Sequence, residues 1–235
     1  MTRVVAVVCA YWETRWDNVH QIVSDLRNGT VVPDRILVLN NNKKLHLEIE
    51  GADIINSEFN SRSRGKLAVA LMDVADYYLF LDDDTSVGTK TLERFLEVAH
   101  RESCYASHGV WLDKGNGVRI TPDGVKEETE CQYFLGTGMF MSFYSLVRMF
   151  MAEERVRVRT EWKHEGEDVL IGLMNKASVI PMGEDANFVA LPWGDLAMAF
   201  GSDGTSEGGL DYLRMRDRFT KEAIEILEEH PVPKY

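Results

Sequence analysis

Cysteine, proline and positive charge are all scarce in this chain, and no apolar run in it reaches the length of a membrane span. Three cysteines, Cys9, Cys104 and Cys131, are spread over 235 residues. Their odd number and wide spacing exclude a disulfide framework and any zinc-type pattern. A reducing compartment fits such usage, and the cytoplasm is the expected location. The N-terminal run Val4 to Ala10 is too short to cross a bilayer, and it lacks a small-residue cleavage site before Tyr11-Trp12. Basic residues number 26 against 38 acidic ones, for a formal net charge of -12. A surface of that sign repels polyanions and argues against nonspecific binding to nucleic acid or an anionic membrane. Two arginine clusters, Arg155, Arg157 and Arg159, and Arg214, Arg216 and Arg218, carry no interleaved aromatics and read as solvated faces.

What the chain does have is apolar residues, 45% of the total, enough for a sizeable core. They fall into an alternation of strands and helices over the first hundred residues. Val4 to Cys9 reads as a strand, and Thr14 can cap a helix running to Asn28, with Trp16, Val19, Val23 and Leu26 on one face and Gly29 closing it. Arg35 to Leu39 and Ile54-Ile55 read as strands, Gly65 to Ala75 as a helix with Ala68, Leu71, Met72 and Ala75 inward, Tyr77 to Leu81 as a strand and Lys90 to His100 as a helix. Strands separated by helices of this length imply a mostly parallel, doubly wound sheet.

Beyond residue 105 the pattern changes. Tyr105 to Leu112 and Val118 to Ile120 flank Asp113-Lys114-Gly115-Asn116-Gly117, a hairpin signal. Cys131 to Leu135 reads as a strand, Ser142 to Glu153 and Glu167 to Lys176 as helices, and Val179-Ile180 as a short strand. Residues 182–209 lack periodicity, and a loop that long is expected to be functional or mobile. A C-terminal helix is expected from Gly209 to Glu229. With no repeat and no convincing linker, the expectation is one domain over residues 1–235, with a nucleotide-binding half (1–104) and an acceptor-binding half (105–235).

The most informative feature is the junction of Tyr77-Tyr78-Leu79-Phe80-Leu81 with Asp82-Asp83-Asp84. Carboxylates crowded at the carboxyl end of a buried strand repel one another, and a divalent cation with hard oxygen ligands relieves that repulsion. Ligands of open α/β sheets sit at this edge. Asp82 and Asp84, two apart, point to one side of an extended backbone. The competing reading is a solvated turn. A second acidic cluster, Glu161 to Asp168, precedes an apolar run. There an aspartate could accept a proton from a hydroxyl, or the carboxylates could simply favour a helix N-terminus. Arg62, Arg64 and Lys66 lie around the start of a helix, placed either for diphosphate contact or for solvent. Tyr11 and Trp12 could stack on a base or pack in the core, whereas Trp16 fits the core face. Trp193 could stack on a sugar or serve as a buried anchor. His108 and His164 have no partner spacing for a metal pair.

Taken with the N-terminal strand Val4 to Tyr11, the stretch Asn60 to Ala70, Gly136-Thr137-Gly138-Met139 and Gly166-Glu167-Asp168-Val169-Leu170, these motifs resemble the GT-A nucleotide-sugar glycosyltransferases. The pattern is that of the family 2 group, with some similarity to the exostosin-like group, and it covers roughly residues 3 to 181. The resemblance implies a Rossmann-like three-layer α/β/α fold with a mostly parallel central sheet and a small antiparallel acceptor-side portion. It implies Asp84, with Asp82, as ligands of Mn2+ or Mg2+, and Asp82 also as a contact to ribose or donor sugar. Ala10, Tyr11, Glu13, Asn40, Arg62, Arg64, Lys66, Asp83 and Gly138 would surround the nucleotide-sugar, a UDP-sugar being expected. Asp168 would be the catalytic base, with Glu167 the alternative. The family 2 pattern usually has an aspartate after the second strand, where this chain has Asn40-Asn41-Asn42. A late histidine often completes metal coordination in the fold. His230 lies too far along for that, which leaves Asp195 and Asp203 as stand-ins.

The implied reaction is transfer of a sugar to an acceptor hydroxyl with inversion, retention being the exostosin-like course. The acceptor could be a glycan, a metabolite, a protein side chain or a hydroxylated base of nucleic acid. Three rivals remain. A haloacid-dehalogenase-type phosphatase expects Thr or Val where Ser86 stands. A sugar nucleotidyltransferase needs a glycine-rich loop in place of Ala10-Tyr11-Trp12-Glu13. A non-catalytic nucleotide-binding module would use Glu167-Asp168 only as a helix cap.

Overall fold

The computed structural model describes residues 2–44, 46–113, 116–134, 138–159, 166–192 and 208–233. The N-terminal half contributes β1 (Val4–Ala10), α1 (Trp16–Arg27), β2 (Arg35–Asn40), β3 (Asp53–Asn56), α2 (Arg62–Ala70), β4 (Tyr77–Asp82), β5 (Thr85–Val87) and α3 (Thr91–Val98). There follow β6 (Cys104–Ala106), β7 (Gly109–Asp113), β8 (Asn116–Ile120), β9 (Thr129–Glu130), β10 (Tyr133–Phe134) and β11 (Gly138–Ser142). The chain continues through α4 (Phe143–Arg157), α5 (Glu167–Asn175), β12 (Ser178–Val179), β13 (Phe188–Ala190) and α6 (Gly208–Glu229).

Eight strands form one sheet in the order β3-β2-β1-β4-β11-β6-β12-β9. The block β3-β2-β1-β4 is parallel throughout. β11 then runs antiparallel to both β4 and β6. A three-stranded antiparallel sheet, β10-β7-β8, and the pair β13-β5 complete the strands.

Strand residues alternate between two faces, and two apolar cores result. Val4, Ala6, Val8, Ile36, Val38, Leu79 and Leu81 pack with Val19, Ile22, Val23 and Leu26 of α1 and with Leu92 and Phe95 of α3. Val5, Val7, Leu37, Leu39, Tyr78 and Phe80 pack with Leu67 of α2, Leu146 and Met149 of α4, Val169 and Leu170 of α5 and Phe219 of α6. Helices therefore cover both sides of the sheet, in three layers.

Several boundaries differ from the sequence expectation. The second helix ends at Ala70, and the chain leaves it through i-to-i+3 backbone bonds at Leu71, Met72 and Asp73. Ala68, Leu71 and Met72, expected inward, are exposed, and the inward face of α2 carries Lys66, Leu67, Val69 and Ala70. The expected strand Tyr105 to Leu112 divides at Ser107-His108: β6 joins the main sheet, and β7 forms the hairpin with β8. Ser142 caps α4 by accepting from the Ser145 N–H at 3.0 Å, and the residues before it form β11. The stretch 182–209 is not structureless where it is described, because β13 pairs with β5. Gly136, Thr137, Glu161 to Glu165, Trp193, Asp195 and Asp203 lie outside the described residues.

Candidate functional site

The strand register fixes where the site residues stand. Ala10 of β1 pairs with Asn40 of β2, and Asn40 with Asn56 of β3. Cys9 pairs with Asp82 of β4, and Leu81 with Gly138 of β11. The carboxyl ends of four parallel strands thus form one row, and the start of the antiparallel β11 joins it. This is the edge at which open α/β sheets bind ligands.

Asp82, Asp83 and Asp84 turn the chain from β4 into β5, and each is held by a cation from the protein. Lys66 of α2 is fully buried, and its Nζ lies 2.5 Å from Asp82 Oδ1. Arg15, 5% exposed, ends the 3-10 turn Glu13–Arg15. Its Nη1 donates to Asp83 Oδ1 at 2.7 Å and to Asp84 Oδ2 at 3.2 Å. The Tyr11 N–H donates to Asp83 Oδ2 at 3.2 Å, and the Thr85 hydroxyl to Asp84 Oδ1 at 3.1 Å. Asn18 of α1 spans Asp83 and the returning chain, its amide donating to the Asp83 carbonyl at 3.0 Å and the Pro192 carbonyl at 2.6 Å.

The electrostatics follow from this packing. Burial pushes the Asp82 carboxyl up to about 6; Lys66 pulls it down, and Asp84 and Asp83 add to the rise. Burial likewise raises Asp83 against the pull of Arg15. Lys66 is pulled down by burial, but Asp82 and Cys9, with a contribution from Glu167, carry it above the ordinary lysine range. Lys66 therefore feels both acidic clusters. Below the tip, the half-buried Cys9 packs against the core, and burial drives its thiol up to about 12, which disfavours the thiolate.

Glu167 and Asp168 form the first turn of α5 and are 7% and 6% exposed. Gly166 precedes them with φ 89, and a Cβ there would stand 2.2 Å from the Phe219 ring of α6. Only glycine fits that approach, and it sets where the two carboxylates begin. Asp168 Oδ1 accepts from the Val169 N–H at 2.9 Å.

The remaining expected residues divide. Asn40 is buried, donating to Asn56 Oδ1 at 2.9 Å and accepting from the Asn42 N–H at 3.0 Å. The neighbouring Asn41 Oδ1 accepts from the Ser61 hydroxyl at 2.6 Å, tying β2 to the start of α2. The buried Gly138 carries Phe188 against its Cα, since a Cβ would meet that ring at 2.4 Å. Tyr11 and Trp12 meet edge to face, with centroids 4.7 Å apart, and both are half-buried. Glu13 is exposed. Arg62 opens α2, but the Arg64 guanidinium is engaged elsewhere, with Glu153 of α4 at 2.9 Å. Lys66, expected to meet a diphosphate, instead spends its charge on Asp82.

Sequence reading missed Arg15 and Asn18. Arg15, Asn18, Val19, Ile22, Val23 and Leu26 all fall on the buried stripe of the first helical segment. Two polar residues on an apolar stripe are buried at a cost unless they meet partners. That interruption was the available signal.

Two hard carboxylates, on Asp82 and Asp84, suit Mg2+ or Mn2+, which is commonly held by one or two carboxylates plus substrate phosphates. Among the described residues, no three His, Cys, Asp or Glu side chains cluster as a closed cation site. A diphosphate would have to supply the remaining oxygens.

No protein-family model matches the chain. No curated protein matches it in sequence. In structure, the chain is similar to TarS residues 1–349 from S. aureus, with a TM-score of 0.53 at 12% identity, covering 97% of this chain and 72% of that one. TarS has the GT-A-type fold. The chain has that fold. Among the described residues, no helix is long and apolar enough to cross a membrane.

Proposed function

We propose that this protein transfers a sugar from a nucleotide-sugar, with a UDP-sugar as the first donor to test, to an acceptor hydroxyl. The observation that supports the reading is the acidic turn Asp82-Asp83-Asp84 at the carboxyl end of the central strand β4, in the same row as the ends of β1 and β2 and the start of β11. In a fold of this type, that edge of the sheet is where an activated sugar and its acceptor would meet.

Asp84 and Asp82 would hold Mn2+ or Mg2+, which stabilises negative charge on a departing diphosphate. The protein's own groups do the rest. Ala10, Tyr11 and Asn40 line the nucleotide end of the row. Asp83, tied to Arg15 and the Tyr11 N–H, fixes the turn that presents its two neighbours. Asp168 takes the proton of the acceptor hydroxyl as that oxygen bonds to the anomeric carbon, and the nucleoside diphosphate leaves from the opposite face. A single displacement of this kind inverts the anomeric centre.

The test is an assay of UDP release from a panel of UDP-sugars, with Mn2+ or with chelator and with simple glycosides as acceptors. Metal-dependent release with an inverted product is expected. Binding of nucleotide without consumption of any nucleotide-sugar would leave only the nucleotide-binding module.

A further inference from the structure

The acidic tip is already largely compensated from within. Three adjacent carboxylates face two cations that are themselves buried, Lys66 at 0% exposure and Arg15 at 5%. The contacts engage three of the four oxygens of Asp82 and Asp84: Asp82 Oδ1 is bound by Lys66, Asp84 Oδ2 by Arg15, and Asp84 Oδ1 accepts from Thr85. Neither cation can swing into water cheaply. Lys66, on the inward face of α2, has its side chain fully buried, and Arg15 is also anchored to Asp83 at 2.7 Å.

From this arrangement we infer that Arg15 and Lys66 are positioning residues that keep the tip closed to a bare divalent ion. Asp82 and Asp84 then accept the ion only when a nucleoside diphosphate brings the rest of its ligands. The inference rests on the proposed function and deepens it by setting the order of assembly. A bare Mn2+ would have to compete with two fixed cations for two carboxylates, without a third protein carboxylate, imidazole or thiolate among the described residues. A diphosphate changes that balance, since its oxygens complete the coordination shell and its negative charge offsets the two cations. Coupling of this kind is reciprocal, so each ligand must tighten the other by the same factor.

The experiment is Mn2+ binding to the full chain, read by electron paramagnetic resonance of free Mn2+, with and without saturating UDP and with Mn2+–UDP in buffer subtracted. The wild type should bind Mn2+ at least about tenfold more tightly with UDP than without, and UDP should gain the same factor from Mn2+. Arg15→Gln should bind Mn2+ alone more tightly and shrink the gap to about threefold or less, whereas Arg15→Lys, which keeps the charge but not the guanidinium geometry, should retain part of it. Equal Mn2+ affinity of the wild type with and without UDP overturns the inference, whether or not the variants fold. So does a folded Arg15→Gln protein with unchanged affinity for Mn2+ alone. Absence of any Mn2+ or UDP binding under both conditions instead sinks the glycosyl-transfer reading beneath it.

Discussion

At the tip of β4 and in the first turn of α5, acidic residues are placed by different means. Asp82, Asp83 and Asp84 are fixed by charge, through side-chain bonds to Lys66 and Arg15. Glu167 and Asp168 are fixed by backbone, through a left-handed glycine and the start of a helix whose dipole favours anions. The first arrangement suits groups that must stay put while a charged ligand docks. The second starts both carboxylates from a glycine turn, with Asp168 Oδ1 accepting from the Val169 N–H.

The comparison can be broken most decisively at Asp84. Asp84→Ala should lower kcat for sugar transfer by roughly 10^3-fold or more, measured as UDP release at saturating Mn2+; near-normal turnover would remove the tip from the chemistry. Asp168→Asn should lower kcat by about 10^2- to 10^3-fold with little change in donor KM. If Glu167→Gln produces that signature instead, the base is the neighbouring carboxylate. Lys66→Met tests the tip's charge lock through stability. Asp82 is 30% exposed, so removing its buried partner should cost about 2 kcal/mol and lower Tm by roughly 6 °C, and an unchanged melting curve would contradict the lock. Gly166→Ala tests the backbone lock. The required φ and the Phe219 ring should make it cost about 2 kcal/mol and depress kcat, while Mn2+ affinity in the presence of UDP stays unchanged.

The smallest effect lies away from both clusters. The side-chain bond from Arg3, helped by Arg35 and opposed by burial, holds the Asp73 carboxyl below its usual range. A depressed folded value contributes stability above the unfolded value of about 4, and that contribution is lost as pH falls through the lower folded value. Both arginines are more than 40% exposed, so the gain is under about 1 kcal/mol. Denaturant titrations from pH 6 to 2.5 should show Asp73→Asn converging with the wild type at the acid end. Parallel curves throughout would assign the loss to something other than charge.

The parallel half was legible in the sequence because β1, β2 and β4 are apolar enough to be buried on both faces, and length plus flanking polar residues then mark their ends. The acidic edge followed from those ends. What stayed hidden has specific causes. β11 begins at Gly138, and the short run Met139 to Met141 between the glycines and Ser142 was assigned no element of its own. β5 and β13 have three residues each, too few for any period to show. The face of α2 was misassigned because its inward stripe includes Lys66, a lysine that burial alone would expel and only Asp82 retains. Arg15 escaped for the same reason, its partners lying 68 and 69 positions away.

Asn18 carries one last implication. Its side-chain amide is spent on two carbonyls, one from the acidic turn and one from the strand-β13 return. A neutral donor thus staples three separate pieces of chain at the very spot where formal charges are densest. Replacing it by aspartate would put an acceptor against two acceptors and add a fourth anion to the group. Of all single-atom-scale edits to this molecule, an amide-to-acid change there would disturb both the scaffold and the local field at once.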